Sequence, residues 1–307
     1  MKIDLSLVVP VYFEEDCISQ FLAETIPVLD LEDLSWEIIF IDDGSEDRTC
    51  DIIKKVASEN SRIKLIEFSY NQGKQAAVTA GIQYSSGEKI IYMDPDLQDP
   101  PLEIPNFIRK MNEGYDVVYG VREEKMDNFI NSLFSKLFWR VLRKYTGLKI
   151  PVGLAVMRVF NRKFANKFLE YREQNRFIEG IFMHIGMNAS EIKISQRKRF
   201  AGVSKFNFTK KFQLAVNAIF DFSELPLKLA VRLGILLSVL GFISLISILI
   251  LKIFIDFASG WPSIMSAIVM SLGLNLFFIG VAAIYIGKIY KESKVRPLFS
   301  VKNLTNL

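Results

Sequence analysis

The sequence predicts an α/β domain built on a mostly parallel sheet, followed by two helices that cross a membrane. Three observations carry this. Short apolar runs alternate with helix-length segments up to about Gly120, acidic and turn residues follow the runs, and two long C-terminal stretches carry no charge.

The apolar runs are Leu5 to Val11, Glu37 to Ile41, Ile63 to Phe68, Lys89 to Met93 and Asp116 to Tyr119. In a sheet of this kind ligands sit outside the carboxyl ends of the strands, so the residues just past each run should line one crevice. At 307 residues the chain is long enough to bury the core such a sheet requires.

Hydrophobic residues make up 50% of the chain and mean hydropathy is +0.23 although 23% of residues are charged, so the apolar content must be concentrated. Leu233 to Leu251 and Phe257 to Gly287 are uncharged, each close to or beyond the roughly 20 residues a helix needs to span a bilayer. Lys228 and Arg232 precede the first stretch. Lys288, Lys291, Lys294 and Arg296 follow the second, and only Lys252 and Asp256 lie between. The positive-inside rule then places the large domain and both termini in the cytoplasm, as a multi-pass protein of the inner membrane. The opening MKIDLSLVVPVYFEED reads as a first strand, since acidic residues interrupt it too soon for a signal peptide. Trp139 and Trp261 read as interface anchors. Gly234, Gly241, Ser244 and Gly273 permit close helix packing and leave room for a homo-oligomer formed through the membrane region.

A net charge of +4, from 38 Lys and Arg against 34 Asp and Glu, gives no reason to expect a nucleic-acid partner. The basic residues gather instead near the expected membrane face, which suits an anionic lipid surface. Asn128 to Tyr145 places apolar residues at helical spacing, with Lys136, Arg140, Arg143 and Lys144 among the others, and predicts an amphipathic interface helix. Phe208 to Leu229 is a second candidate. Cys17 and Cys50 lack the spacing of a zinc site or a disulfide framework and read as reduced packing residues. The lone His184, in FMHIGM, reads as a packed or hydrogen-bonded imidazole.

The informative loops follow the runs. After the fourth comes Asp94-Pro95-Asp96-Leu97-Gln98-Asp99-Pro100-Pro101, where two carboxylates at i and i+2 and an amide can hold one hard divalent cation and leave positions for diphosphate oxygens. Asp99 is expected to cap the helix beginning at the two prolines. The first run ends in Pro10-Val11-Tyr12-Phe13-Glu14-Glu15 and the second in Asp42-Asp43-Gly44-Ser45, acceptor groups and a ring suited to a base and a ribose, or to turns and caps. Asn71-Gln72-Gly73-Lys74 presents a lysine at a helix start, suited to phosphate or to a base carbonyl. Neither GxGxxG nor GxxxxGK occurs, which disfavours a dinucleotide fold and a P-loop.

In this order and spacing, VVPVYFEE, IDDGSEDRT, NQGKQAAVTAG and YMDPDLQDPP resemble the motifs of inverting family 2 glycosyltransferases of GT-A fold. Tyr119-Gly120-Val121-Arg122, the basic helix after it, RFAGVSKF from Arg199 to Phe206 and the two terminal spans are similar to bactoprenol glucosyltransferases and dolichol phosphate mannose synthases. The resemblance covers nearly the whole chain. It implies that Pro10, Tyr12, Glu14, Asp42 and Asp43 hold the nucleoside, that Lys74 lies beside the nucleotide, and that Asp94, Asp96 and Gln98 hold Mg²⁺ or Mn²⁺ and the diphosphate. Arg122, Ser135 and Lys205 would contact the acceptor phosphate or the sugar diphosphate, and Asp96, Arg122 and Arg158 would form the catalytic set. One departure stands out. Many relatives read Gly-Asp-Phe-Arg where this chain reads Ala155-Val156-Met157-Arg158, with Val156 in place of the acid, which weakens a glucose assignment more than it weakens transferase activity.

The implied division is a nucleotide-sugar and metal-binding core over 1–125, an acceptor region over 126–230, the spans over 231–290 and a cytoplasmic tail over 291–307. The implied reaction moves a sugar from a nucleotide diphosphate sugar, with uridine as the expected base, onto a polyprenyl phosphate with inversion. A lipid phosphate with a second pKa of about 6 is largely ionised at neutral pH and needs no strong base, so Val156 does not preclude turnover. The alternatives are a hydroxyl-directed or processive transferase, against which the missing QxxRW motif counts, and a non-catalytic nucleotide-sugar-binding scaffold.

Overall fold

The computed structural model describes residues 2–122, 151, 153–174, 176–200, 225–254 and 260–307. Within them the chain forms two compact units, Met1–Phe208 with Pro297–Leu307, and Thr209–Arg296.

The first unit is an eight-stranded sheet of β1 (Leu5–Val11), β2 (Trp36–Asp42), β3 (Ile63–Phe68), β4 (Lys89–Tyr92), β5 (Val117–Arg122), β6 (Leu154–Asn161), β7 (Ala189–Ile194) and β8 (Val301–Thr305). Their order is β7-β5-β6-β4-β1-β2-β3-β8. The four strands β4, β1, β2 and β3 run parallel, and β6 and β8 enter antiparallel. β1 and β2 are buried along their whole length, as continuous apolar runs are when helices cover both faces. The crossovers are α1 (Glu15–Leu31), α2 (Thr49–Glu59) and α3 (Lys74–Tyr84), with α4 (Ile104–Met111) after β4. A single turn of 3₁₀ helix, Pro101–Glu103, leads into α4.

α3 lies so close to the sheet that a Cβ on Gly81 would come within 2.3 Å of Val8 Cγ1 and 2.6 Å of Ile41 Cδ1, so only glycine fits there. After β6, α5 (Arg162–Glu170) and α6 (Ile178–Ile185) pack around a cluster of Phe160, Phe164, Phe168 and Phe182. Asn161 caps α5 by accepting the Phe164 N–H at 2.8 Å. His184 is exposed and hydrogen-bonded, its Nδ1 2.8 Å from the Tyr171 hydroxyl.

Two expected boundaries change. β6 and β7, assigned to a separate acceptor region, are strands of the same sheet, because antiparallel β6 pairs with both β4 and β5. The 291–307 segment is not a tail throughout: β8 extends the sheet along β3, Phe299 stacks on Phe68 with centroids 5.6 Å apart, and Asn306 Nδ2 donates to the carbonyls of Ala57 and Ile63. Alternation in so short a run is too weak a signal to distinguish a strand from a polar terminus.

The second unit contains α7 (Leu225–Phe254) and α8 (Trp261–Ser293), of 30 and 33 residues. At about 1.5 Å per residue each exceeds the roughly 30 Å of a bilayer core. Pro226–Ser244 and Ser263–Ser293, with mean hydropathy 1.9 and 2.3, have the length and apolarity of membrane spans. The amphipathic candidate at 128–145, with Trp139, and most of the 208–229 candidate fall outside the described residues.

Candidate active site

β1 lies between β2 and β4, so the crossovers diverge from it in opposite directions and a crevice opens at the carboxyl ends of these strands. Pro10 shows how the sequence accommodates this. The Val8 carbonyl accepts Met93 N–H at 3.2 Å, so alternate residues of β1 turn their backbone groups toward β4. Pro10 is next on that side, but β1–β4 pairing ends at Val8 and Tyr92, so a residue without an N–H costs no ladder bond there.

The loops past β1 and β2 are stitched together. Phe13 N–H donates to Ser45 Oγ at 3.0 Å and Glu14 N–H to Thr49 Oγ1 at 3.0 Å, which holds Phe13 at a φ of 52°. Tyr12 meets the Phe13 ring edge-on, centroids 4.4 Å apart. Asp42 Oδ2 accepts the N–H groups of Gly44 and Ser45 at 3.1 and 3.0 Å, while its Oδ1 is buried without a conventional partner among the described residues. Burial and this carboxylate push the neighbouring Cys50 thiol up, so it stays protonated. Gly44, at φ 77°, could not carry a side chain: a Cβ would lie 2.7 Å from the Tyr70 carbonyl carbon.

Asp43 organises the next loop. Its carboxylate accepts Gln72 N–H at 2.6 Å and Gly73 N–H at 2.9 Å, and burial pushes its pKa up to about 6 against those stabilising bonds. Gly73 at φ 94° then starts α3 with Lys74, whose ammonium reaches Asp94 Oδ2 at 2.7 Å. Desolvation opposes the charge of this half-exposed lysine, yet the Asp94 carboxylate prevails and holds the ammonium above its ordinary range.

The loop past β4 carries the paired acids. Asp96 Oδ1 accepts Gln98 N–H at 3.1 Å and Oδ2 is ion-paired to Arg199 Nη2 at 2.9 Å. Burial, then the Asp94 charge, raise the Asp96 pKa, which marks the two carboxylates as electrostatic neighbours. Leu97 between them and Gln98 sits at φ 58°. Arg197 N–H donates to the Gln98 carbonyl and Phe200 N–H to that of Asp96, at 2.9 and 3.2 Å, so the 197–200 segment lies along this loop.

Among the described residues no three His, Cys, Asp or Glu side chains gather as a ready-made metal site. A Mg²⁺-like cation that keeps water and substrate phosphates needs only one or two protein carboxylates, so the donor set of Asp94 and Asp96 fits. Each acid is balanced by a cation, Lys74 or Arg199. Gln98 takes part in this geometry through its backbone.

Asp99 differs from the expectation. It does not cap the 3₁₀ turn, whose cap position is Pro100 with no side-chain bond. Its buried carboxylate instead accepts Val156 and Met157 N–H at 3.0 and 2.9 Å and faces Arg122 Nη2 at 3.4 Å. Pro100 directs the chain away from a cap, and the start of β6 supplies the unpaired donors. Arg122, 29% exposed in its side chain, thus ends β5 beside the acidic loop.

Arg158, expected in the catalytic set, is 1% exposed. Its Nε donates to the Val156 carbonyl at 3.0 Å, its guanidinium lies 5.2 Å over the Tyr92 ring, and Glu179 is 3.8 Å away. Antiparallel pairing of β4 and β6 sets Arg158 opposite Tyr92 and so brings its guanidinium onto that ring. Ser135 and Lys205 lie outside the described residues. The structure brings Asp42, Asp43, Lys74, Asp94, Asp96 and Arg122 to one rim and adds Arg199, whose only signal in the sequence is a basic residue opening RFAGVSKF.

The mostly parallel sheet with an acidic rim at its switch point is of GT-A type, a fold that glycosyltransferases using nucleotide sugars adopt. The model of glycosyl transferase family 2 matches residues 6–169, and the chain belongs to that family. It is 37% identical over 302 residues to the uncharacterized glycosyltransferase YkcC of Bacillus subtilis, covering 98% of this chain and 94% of that one. It is 33% identical over 301 residues to the bactoprenol glucosyl transferase of Shigella phage SfV, covering 97% and 98%. The fold is similar to that of the mannosyltransferase PcManGT of Pyrobaculum calidifontis, solved with GDP-Man and Mn²⁺, at a TM-score of 0.50, 16% identity, and 72% and 64% coverage.

Proposed function

We propose that the enzyme transfers a sugar from a UDP-sugar to the phosphate of a polyprenyl phosphate, with inversion, at the cytoplasmic face of a membrane. The observation that carries this reading is the placement of Arg122 beside the acidic loop and fixed by Asp99, in a chain that also holds two helices of membrane-spanning length. Full-length similarity to a bactoprenol glucosyl transferase supports the lipid acceptor.

Asp42 Oδ1, buried without a conventional partner among the described residues, is an acceptor for the imide N–H of the base or a ribose hydroxyl, and Tyr12 supplies a ring at the same rim. Asp94 and Asp96 would hold Mg²⁺ or Mn²⁺, which when bound supplies Lewis-acid stabilisation of the departing diphosphate. Lys74 and Arg199, relieved of their carboxylates, then offer cationic donors to diphosphate oxygens. Arg122 binds and orients the acceptor phosphate, whose ionised oxygen attacks the anomeric carbon from the face opposite the leaving group. No protein base is required, which accords with Val156. Ser135 and Lys205 are proposed as further acceptor contacts, with both termini cytoplasmic.

The test is incubation of detergent-purified protein with undecaprenyl phosphate, Mg²⁺ or Mn²⁺ and radiolabelled UDP and GDP sugars. Label extracted as a lipid monophosphate sugar is the expected result. Label only in a polymer or in a hydroxyl-linked glycolipid would refute the acceptor. Asp96→Asn should lose metal-dependent turnover while remaining folded, and undiminished activity would refute the metal assignment.

A further inference from the structure

β8 reaches the donor crevice from the far end of the chain. At its start the Ser300 carbonyl accepts Ser69 N–H at 3.2 Å and Gln72 Nε2 at 3.1 Å, and Ser300 N–H donates to Gln72 Oε1 at 2.8 Å. Both halves of the Gln72 amide are therefore bonded to the backbone of one residue 228 positions away. On its other side the Gln72 backbone N–H is held by Asp43 at 2.6 Å, and Gly73 by the same carboxylate. The loop between β3 and α3 is thus gripped from both sides immediately before Lys74, the residue paired with Asp94.

The grip lies at the crevice end of the strand. The other anchor of the segment, Asn306, donates to Ala57 and Ile63 carbonyls at the opposite end of β3, where parallel sheets of this kind do not bind ligands. An edge strand needed only for stability would be served by the Asn306 anchor, the Phe68–Phe299 stack and the ladder to β3. Reciprocal side-chain bonds to the loop that carries Lys74 add restraint where a nucleotide would bind. A polar side chain with both groups satisfied holds one rotamer, and a loop held in its bound conformation loses less freedom on binding.

We propose that Ser300 and Gln72 form a clasp by which the C-terminal strand positions loop 71–74 for the nucleotide of the donor, making Gln72 a positioning residue for donor affinity. This rests on the reading that the crevice binds a nucleotide sugar, and it is independent of the acceptor.

The experiment uses the full chain in detergent, with UDP and Mn²⁺ as the probe, titrated calorimetrically. Amide exchange is followed over 69–76 and thermal unfolding is measured in parallel. Gln72→Met removes both side-chain bonds and leaves the β3–β8 ladder intact. It should weaken UDP about tenfold, or about 1.4 kcal/mol, speed exchange over 69–76 and raise donor KM more than it lowers kcat. Asn306→Ala should lower the unfolding temperature and leave UDP affinity unchanged. Unaltered UDP binding in Gln72→Met, or equal weakening in both variants, would overturn the clasp. A wild type that binds UDP without passing sugar to polyprenyl phosphate would overturn the acceptor reading alone, and one that binds no UDP would overturn both.

Discussion

Replacing Asp99 tests how the acidic loop, β6 and Arg122 are joined. Its carboxylate is 4% exposed and accepts two backbone N–H groups at 3.0 and 2.9 Å while facing Arg122 at 3.4 Å. Bonds to a charged acceptor contribute about 1.5–3 kcal/mol each and neutral ones about 0.5–1.5. Asn can keep one oxygen on the two donors, so Asp99→Asn should cost about 2 kcal/mol, and its amide then confronts the Arg122 guanidinium donor to donor. Ala leaves both N–H groups unsatisfied and should cost about 4 kcal/mol. In a domain of this size about 2 kcal/mol corresponds to a fall of about 4–8 °C in unfolding temperature. Thermal unfolding by intrinsic fluorescence, with transfer kinetics on the Asn variant, measures both consequences. The expected outcome is a moderately destabilised protein whose KM for the lipid phosphate rises while UDP affinity holds. Wild-type stability and kinetics in Asp99→Asn would refute the reasoning.

Other outcomes can be checked alongside it. Arg122→Ala should lower kcat/KM for the lipid phosphate by about 30-fold or more, as expected for losing about 2 kcal/mol of charge-assisted contact, with little change in UDP affinity by titration. Asp43, with its pKa pushed up to about 6, accepts the loop N–H groups best when ionised, so UDP affinity should fall as pH drops through about 6. Its stability effect runs the other way: between about 4 and 6 the folded state keeps a proton that the unfolded state has lost, so stability declines as pH rises through that window and is level above it. UDP titrations and melting curves from about pH 4.5 to 8 test both signs. Gly81→Ala gains about 1 kcal/mol of helix propensity but forces a Cβ to within 2.3 Å of the stiff Val8 side chain, a clash of up to about 3 kcal/mol, so denaturant unfolding should show net destabilisation.

The sequence by itself determined the parallel half of the sheet and the acidic rim. Continuous apolar runs ending in IDDGS and YMDPD specify buried strands whose carboxyl ends must coincide, and two uncharged stretches specify bilayer-length helices, because burial and length are properties of local composition. The tertiary structure alone decided where long-range partners fall. Asp99 looked like a cap and became the anchor of β6, Arg158 was set in the core opposite Tyr92, and the last residues looked like a tail and became an edge strand reaching Gln72. In each case the deciding contact joins residues from about 57 to 228 positions apart, and the chain folds many loops between them whose geometry no local pattern encodes.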